Sequence, residues 1–337
     1  MPLSLFDFLC RAAANPALAI TVLLLLAVIL VNGWTDAPNA IASAVVSGVL
    51  PFRRAAWLAA ACNLLGSLWA AAAGGAVSET IFSIADFGRS TSAALAALCA
   101  AMAAIVCWAV LAWRFGIPTS ESHALVAGVT GAAVALQGSF GAIRWEAWGK
   151  VLFGLSLSLL LGFLLGGWSA QWLPKGKRYR APQLLGAALM AFLHGAQDGQ
   201  KFVGIFLLGT TLAQGGAQGA LPPPPLWLTA LVAAVMALGT LLGGRRIIDT
   251  VCREMTHLPP REGFGADLGA GLTLALATLL GLPVSTTHAK TAAVLGTGMA
   301  SGQRRKKEVA GKIGLVWLAT FPACFGIGFC LAKLALR

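Results

Sequence analysis

Apolar residues in this chain come in long runs, separated by short polar stretches. The first run, "ALAITVLLLLAVIL", carries no charge. Runs of about 18 or more apolar residues recur to the C-terminus, which predicts membrane-spanning helices. They are too long and continuous for membrane strands of about 9–11 alternating residues. The pattern therefore predicts an all-α polytopic membrane protein whose partner is the lipid bilayer. One interruption stands out. The stretch "NGWTDAPNAIA", residues 32–42, comes about one membrane thickness after the first run begins, and the chain then stays apolar through Val49 and Leu50. A carboxylate in that setting is costly and marks a functional site.

Two polar stretches occur twice. "GIPTSESHA" at 116–124 matches "GLPVSTTHA" at 281–289, and "NGWTDAPN" at 32–39 matches "HGAQDGQK" at 194–201. Asp36 and Asp198 lie 162 residues apart, and His123 and His288 lie 165 apart. Two independent pairs at nearly one offset predict an internal duplication. The expected division is an N-terminal repeat over 1–172, a short basic cytoplasmic linker over 173–182, and a C-terminal repeat over 183–337.

Charge supplies the orientation. Only 11% of residues are charged, against about 25% in soluble domains. The net charge of +12 comes largely from short loops: Arg53–Arg54, Lys175 to Arg180, Arg245–Arg246 and Arg304 to Lys307. That is the positive-inside pattern and not a nucleic-acid footprint. It puts both termini outside and gives each half about five crossings. An odd number inverts the second half relative to the first, the architecture of many secondary transporters. About 10–12 segments are expected, with 117–138 and 282–300 broken or re-entrant. The N-terminus lacks the basic region of a cleavable leader, so the first segment is expected to be retained. The seven cysteines are scattered without a Cys-x-x-Cys, which predicts neither a zinc site nor a disulfide framework.

The repeated motifs carry the candidate chemistry. Proline suits the first turn of a helix, and Ser or Thr beside it suits an N-cap. Each Pro-led motif thus reads as the start of a half-helix inside the membrane. Its free N–H groups and positive dipole end favour an anion. Hydroxyls of Thr119, Ser120, Ser122, Ser285, Thr286 and Thr287 add donors. Asp36 and Asp198 would repel an anion unless a cation or proton enters with it. Thr35, Asn39 and Gln197 are neutral oxygen ligands suited to Na⁺. Gly33, Gly195 and Pro38 are expected to let the helices unwind and expose carbonyls. An ion pair between Asp198 and Lys201 is an alternative reading of that motif. His194 and Asp198, four apart, can also hold a metal. Glu121 has no acidic counterpart in the second repeat and either carries a proton or pairs with a lysine such as Lys290. His123, His288 and Lys201 are candidates for proton transfer or gating.

These segments resemble the signatures of the PiT family of inorganic phosphate transporters, in which a Gly-Ala-Asn-Asp-x-x-Asn-Ala pattern and a Pro-x-Ser-x-[Ser/Thr]-His segment occur in each half. The resemblance spans essentially the whole chain. It implies an inverted-repeat bundle, typically a homodimer. It also implies phosphate between the two Ser/Thr helix starts and cations near the Asp/Asn motifs. The chain departs from the pattern at Thr35 and Gln197, where the family has Asn, and at Lys201. The expectation is a secondary transporter of the inner membrane that imports inorganic phosphate with Na⁺ or H⁺ by alternating access. No cofactor is expected, and no metal beyond a co-transported Na⁺. The alternatives are sulfate carriage by the same fold, a passive anion channel, or an intramembrane hydrolase using Ser120, His123 and an Asp. The symmetric doubling of the site argues against an enzyme.

Overall fold

Each apolar run folds into a helix whose ends are set by local chemistry. The computed structural model describes residues 4–88, 90–116, 119–215, 219–242, 245–248, 258–302 and 307–337. Pro118, His257 and Arg304 to Lys306 lie outside them. Helix α1 (Leu5–Ala14) meets α2 (Pro16–Thr35) at Asn15. The Asn15 side chain accepts from the N–H groups of Ala17 and Leu18, and Pro16 fills the first helical position, where an N–H has no partner anyway. Pro38 then ends α2, because it has no N–H for the Trp34 carbonyl and its ring collides with that carbonyl. The chain tightens into a 3₁₀ turn over Ala37–Ile41 and resumes as α3 (Ala42–Val46).

The first half continues with α4 (Phe52–Ala72), α5 (Ala76–Phe82), α6 (Thr91–Arg114), α7 (Glu121–Gln137) and α8 (Trp145–Trp172). The second comprises α9 (Arg180–Ala213), α10 (Leu226–Leu242), α11 (Arg245–Ile248), α12 (Pro260–Leu279), α13 (Thr286–Ala300) and α14 (Lys307–Ala335). Among the described residues no strand forms, and Ala85 and Ile143 make one isolated antiparallel bridge. Among the described residues, five segments are long and apolar enough to cross a membrane: Pro16–Val46, Phe52–Ala72, Thr91–Arg114, Trp145–Trp172 and Gly311–Ala335. Helices α9 and α12 are also long, but each carries ionisable residues along its length. With 17 and 15 residues, α7 and α13 fall short of the about 20 needed to cross.

The two halves are interleaved by a two-fold pattern. Helix α8 packs on α12 and α13, while α14 packs on α6 and α7; α4 packs on α9, while α10 packs on α2. Gly154, Gly162 and Gly166 of α8 approach Pro283, Ala289 and Ala293 in that order, so α8 and α13 run parallel. The short turn after α7 sends α8 back along it, with Trp148 Nε1 donating to Thr130. Helices α7 and α13 therefore run in opposite directions, and their N-termini face each other.

The expected unwinding at Gly33 and Gly195 is not what forms. Gly33 lies inside α2, and a Cβ there would sit 2.2 Å from the Met236 carbonyl oxygen of α10. Gly195 lies inside an unbroken α9, and its Cβ would sit 2.2 Å from the Asn63 carbonyl oxygen of α4. These glycines let helix backbones touch, as small residues do in membrane bundles. Only the first motif breaks its helix, at Pro38.

Candidate functional site

The facing starts of α7 and α13 form the centre of the molecule. Ser120 caps α7 and accepts from the His123 N–H at 3.3 Å; Ser285 caps α13 and accepts from the His288 N–H at 3.2 Å. The expected Ser N-caps are therefore present. Pro283 lies ahead of its cap, not in the first turn, because Val284 and the extended Ser285 intervene. The two imidazoles meet edge to face with ring centroids 4.5 Å apart. His123 also stacks on Phe321 and makes a 3.3 Å contact from Nδ1 to the Trp317 carbonyl, while His288 packs on Trp317. These histidines thus join the half-helices to α14.

Helices α2 and α9 bring the two aspartates to this point. Both are buried, 4% and 2% exposed. Thr286 donates to Asp36 Oδ2 at 2.8 Å, and Thr287 donates to Asp36 Oδ1. Asn39 Nδ2 donates to Asp36 Oδ1 at 2.8 Å and lies 3.4 Å from Thr287 Oγ1. Across the repeat, Asp198 Oδ1 accepts from Lys201 Nζ at 2.6 Å and Oδ2 from Asn32 Nδ2 at 3.1 Å. Lys201 also donates to Ser122 Oγ at 2.7 Å and to the Val284 carbonyl at 2.6 Å.

His194 bridges the two carboxylates. Its Nε2 lies 3.8 Å from Asp36 Oδ2 and 3.4 Å from Asp198 Oδ2. Asn63 Nδ2 donates to Thr240, so its Oδ1 is left to accept from His194 Nδ1 at 3.1 Å. That fixes Nε2 toward the two carboxylates, an arrangement that calls for a proton or a cation between them. Asp36, His194 and Asp198 offer one ligand atom each within 4.8 Å of one another. Beside them, Oδ1 of Asn32 and Oδ1 of Asn39 are buried without a hydrogen-bond partner. Buried orphan acceptors are rare, and amide oxygens beside carboxylates make a hard-cation ligand set.

Other expected ligands turn elsewhere. Thr35 donates to Glu121 Oε1 at 2.8 Å, and Gln197 Nε2 donates to Thr278 Oγ1 at 3.0 Å and to the Leu282 carbonyl. Thr119 is 8% exposed at the entrance to α7. The suggested Glu121–Lys290 pair does not form. Lys290 lies two residues round α13 from His288, about 200° away, and so faces α12 and α3. There it pairs with Asp267, which also accepts from Ser43 and Gln183, all four residues fully buried. The motif reading missed Asn32, Asn63 and this second network. The offset of 162 pairs Asn32 with His194, which is the signal that would have found it.

A cleft of about 720 Å³ opens among α5, the start of α8 and the end of α12. It is lined by Glu79, Arg144 and Lys150 and reaches Gly281 and Leu282, just ahead of α13.

Fold and site together define an all-α, multi-pass membrane protein whose polar centre is built from both halves of its chain. It belongs to the phosphate transporter family, whose sequence profile matches residues 32–176 and 169–328. The chain is 36% identical over 307 residues to a probable low-affinity inorganic phosphate transporter of Rhizobium meliloti (strain 1021), covering 87% of this chain and 88% of the relative. It is 32% identical to a protein of the same description from Bacillus subtilis (strain 168), covering 88% and 91%. The fold matches a solved structure described as the sodium-dependent phosphate transporter, with a TM-score of 0.84 at 22% identity over 95% of this chain and 99% of that one. By family the chain is a transporter and not an enzyme.

Proposed function

We propose that this protein imports inorganic phosphate across the inner membrane in symport with a cation, Na⁺ or H⁺, by alternating access. The observation that carries this reading is the grip of Thr286 and Thr287, at the start of α13, on the carboxylate of Asp36. A helix start with two hydroxyl donors is an anion site, and here an internal anion uses those donors. A cation bound at Asp36 competes with the hydroxyls for the carboxylate oxygens and turns them toward phosphate. Each ligand thus favours the other, which is the thermodynamic content of symport.

Cation binding is assigned to Asp36, Asn39 and Oδ2 of Asp198, the oxygen that Lys201 leaves free, with His194 as the imidazole between the carboxylates. Phosphate is assigned to the starts of α7 and α13, where Ser120, Ser122, Ser285, Thr286 and Thr287 converge with Thr119 at the mouth. The cleft that ends at Leu282 supplies an entrance from outside. The repeats over 1–172 and 183–337 would rock about the helix starts, with both termini outside and two copies forming a dimer.

The test is uptake of labelled phosphate by proteoliposomes of the purified protein, under a Na⁺ gradient or a proton gradient without Na⁺, with excess sulfate as competitor. Phosphate accumulation under one gradient, resistant to sulfate, is expected. Sulfate accumulation without phosphate uptake refutes the substrate, and uptake indifferent to both gradients refutes symport.

A further inference from the structure

The two halves of the site differ most at one pair of equivalent positions, 39 and 201. Asn39 Nδ2 joins Asp36 Oδ1 to Thr287 Oγ1. Lys201 Nζ joins Asp198 Oδ1 to Ser122 Oγ. Asp36 is equivalent to Asp198 at the offset of 162, and Ser122 to Thr287 at 165. The same carboxylate–hydroxyl bridge is thus made by a neutral amide in one half and by an ammonium in the other.

We propose that Lys201 is a tethered cation, its ammonium permanently filling beside Asp198 the place that a mobile cation takes beside Asp36, so that each transport cycle draws one cation fewer than two equivalent carboxylates would. This rests on the symport reading above and gives its coupling ratio a structural basis.

Three observations support it. First, the ammonium is fully committed. It has three N–H groups, and they go to Asp198, Ser122 and the Val284 carbonyl at 2.6, 2.7 and 2.6 Å. No donor remains for phosphate, so Lys201 is not an anion ligand. Second, its partners are a carboxylate, a hydroxyl and a backbone carbonyl, the oxygen types that hold a hard cation. They come from α9, from α7 and from the stretch before α13, so the charge sits where both halves meet. Third, the orphan amide oxygen at this pair of positions occurs where the lysine is missing. Asn39 Oδ1 beside Asp36 is buried without a partner and is left for a mobile ion, whereas the lysine offers no acceptor at all. The other orphan, Asn32 Oδ1, belongs to a side chain that binds Asp198 through Oδ2 and not through the Oδ1 that Lys201 holds.

The other ionisable groups facing the pair are His194, between the two carboxylates, and Glu121, reached through Thr35. His123 and His288 lie at the helix starts behind them. All four are common to the wild type and a Lys201 variant, so a comparison between the two isolates the fixed charge.

The experiment compares wild type and Lys201→Asn in proteoliposomes, measuring cations per phosphate from the gradient at which net phosphate flux reverses. Na⁺ and H⁺ are varied separately. The variant is expected to need one more cation per phosphate. In a tenfold cation gradient its limiting accumulation should then rise by about tenfold. An unchanged ratio in variant protein that still elutes as a folded species overturns the proposal. So does a variant that accumulates phosphate without any added cation. Should the variant not fold, the wild type decides the question by diffraction with Tl⁺ as the probe ion. Tl⁺ shared by Oδ2 of Asp36 and Oδ2 of Asp198 is compatible with the proposal. Absence of Tl⁺ among Asp198 Oδ1, Ser122 Oγ and the Val284 carbonyl, where the ammonium sits, is expected, and Tl⁺ bound there overturns the proposal. Failure of the wild type to take up phosphate under either gradient would instead remove the symport reading, and this inference with it.

Discussion

Thr287, in the first turn of α13, donates its hydroxyl to Asp36 at the end of α2, 251 residues earlier in the chain. The contact joins the two halves where the start of α13 meets a buried carboxylate. Replacing Thr287 with Val keeps the shape and removes the donor. A hydrogen bond to a charged group contributes about 1.5–3 kcal/mol. The KM for phosphate uptake should therefore rise about tenfold or more. An unchanged KM would show that this hydroxyl never reaches the substrate.

Asp36→Asn removes the charge to which the proposed symport assigns the coupling cation, while keeping an acceptor for Thr286 and Thr287. Gradient-driven accumulation should be lost, whereas exchange of labelled for unlabelled phosphate across the membrane should persist. Accumulation that survives in this variant would move the coupling site elsewhere.

Lys290 and Asp267 form an ion pair in full burial, flanked by Ser43 and Gln183. Removing one partner strands a buried charge, at a cost of about 3–5 kcal/mol. Lys290→Met should lower the thermal midpoint sharply in detergent, followed by fluorescence-detected gel filtration. Adding Asp267→Leu should recover much of the loss, since an apolar pair of similar volume is often neutral. Equal destabilisation in the single and double variants would mean that packing, not charge, is at issue.

Gly33→Ala places a methyl group against the Met236 carbonyl oxygen, which is backbone and cannot turn aside. Helices α2 and α10 must separate, at a cost of about 1–3 kcal/mol or more. Gly311→Ala, whose added Cβ meets nothing within 4 Å, is the control and should be neutral. The measurement is the same thermal midpoint, and equal stability of the two variants would refute the close contact.

Much of this protein was determined by its sequence alone. The apolar runs required membrane helices, because an unpaired backbone polar group is too costly in lipid for any other local structure. The duplicated motifs gave the two-fold plan, and Ser120 and Ser285 announced their helix starts, since an N-cap is a local interaction within four residues. What only the tertiary structure decided is which groups meet across that plan. The sequence did not tell that Asp36 would be held by Thr286 and Thr287, that Lys201 would be used up by Ser122 and Val284, or that Lys290 would face Asp267 and not Glu121. Helical phase and the interleaving of the halves set those partners, and both depend on how whole helices pack. Gly33 and Gly195 make the same point. As residues they allow either a hinge or a close approach, and the α10 and α4 backbones against them decide for close approach.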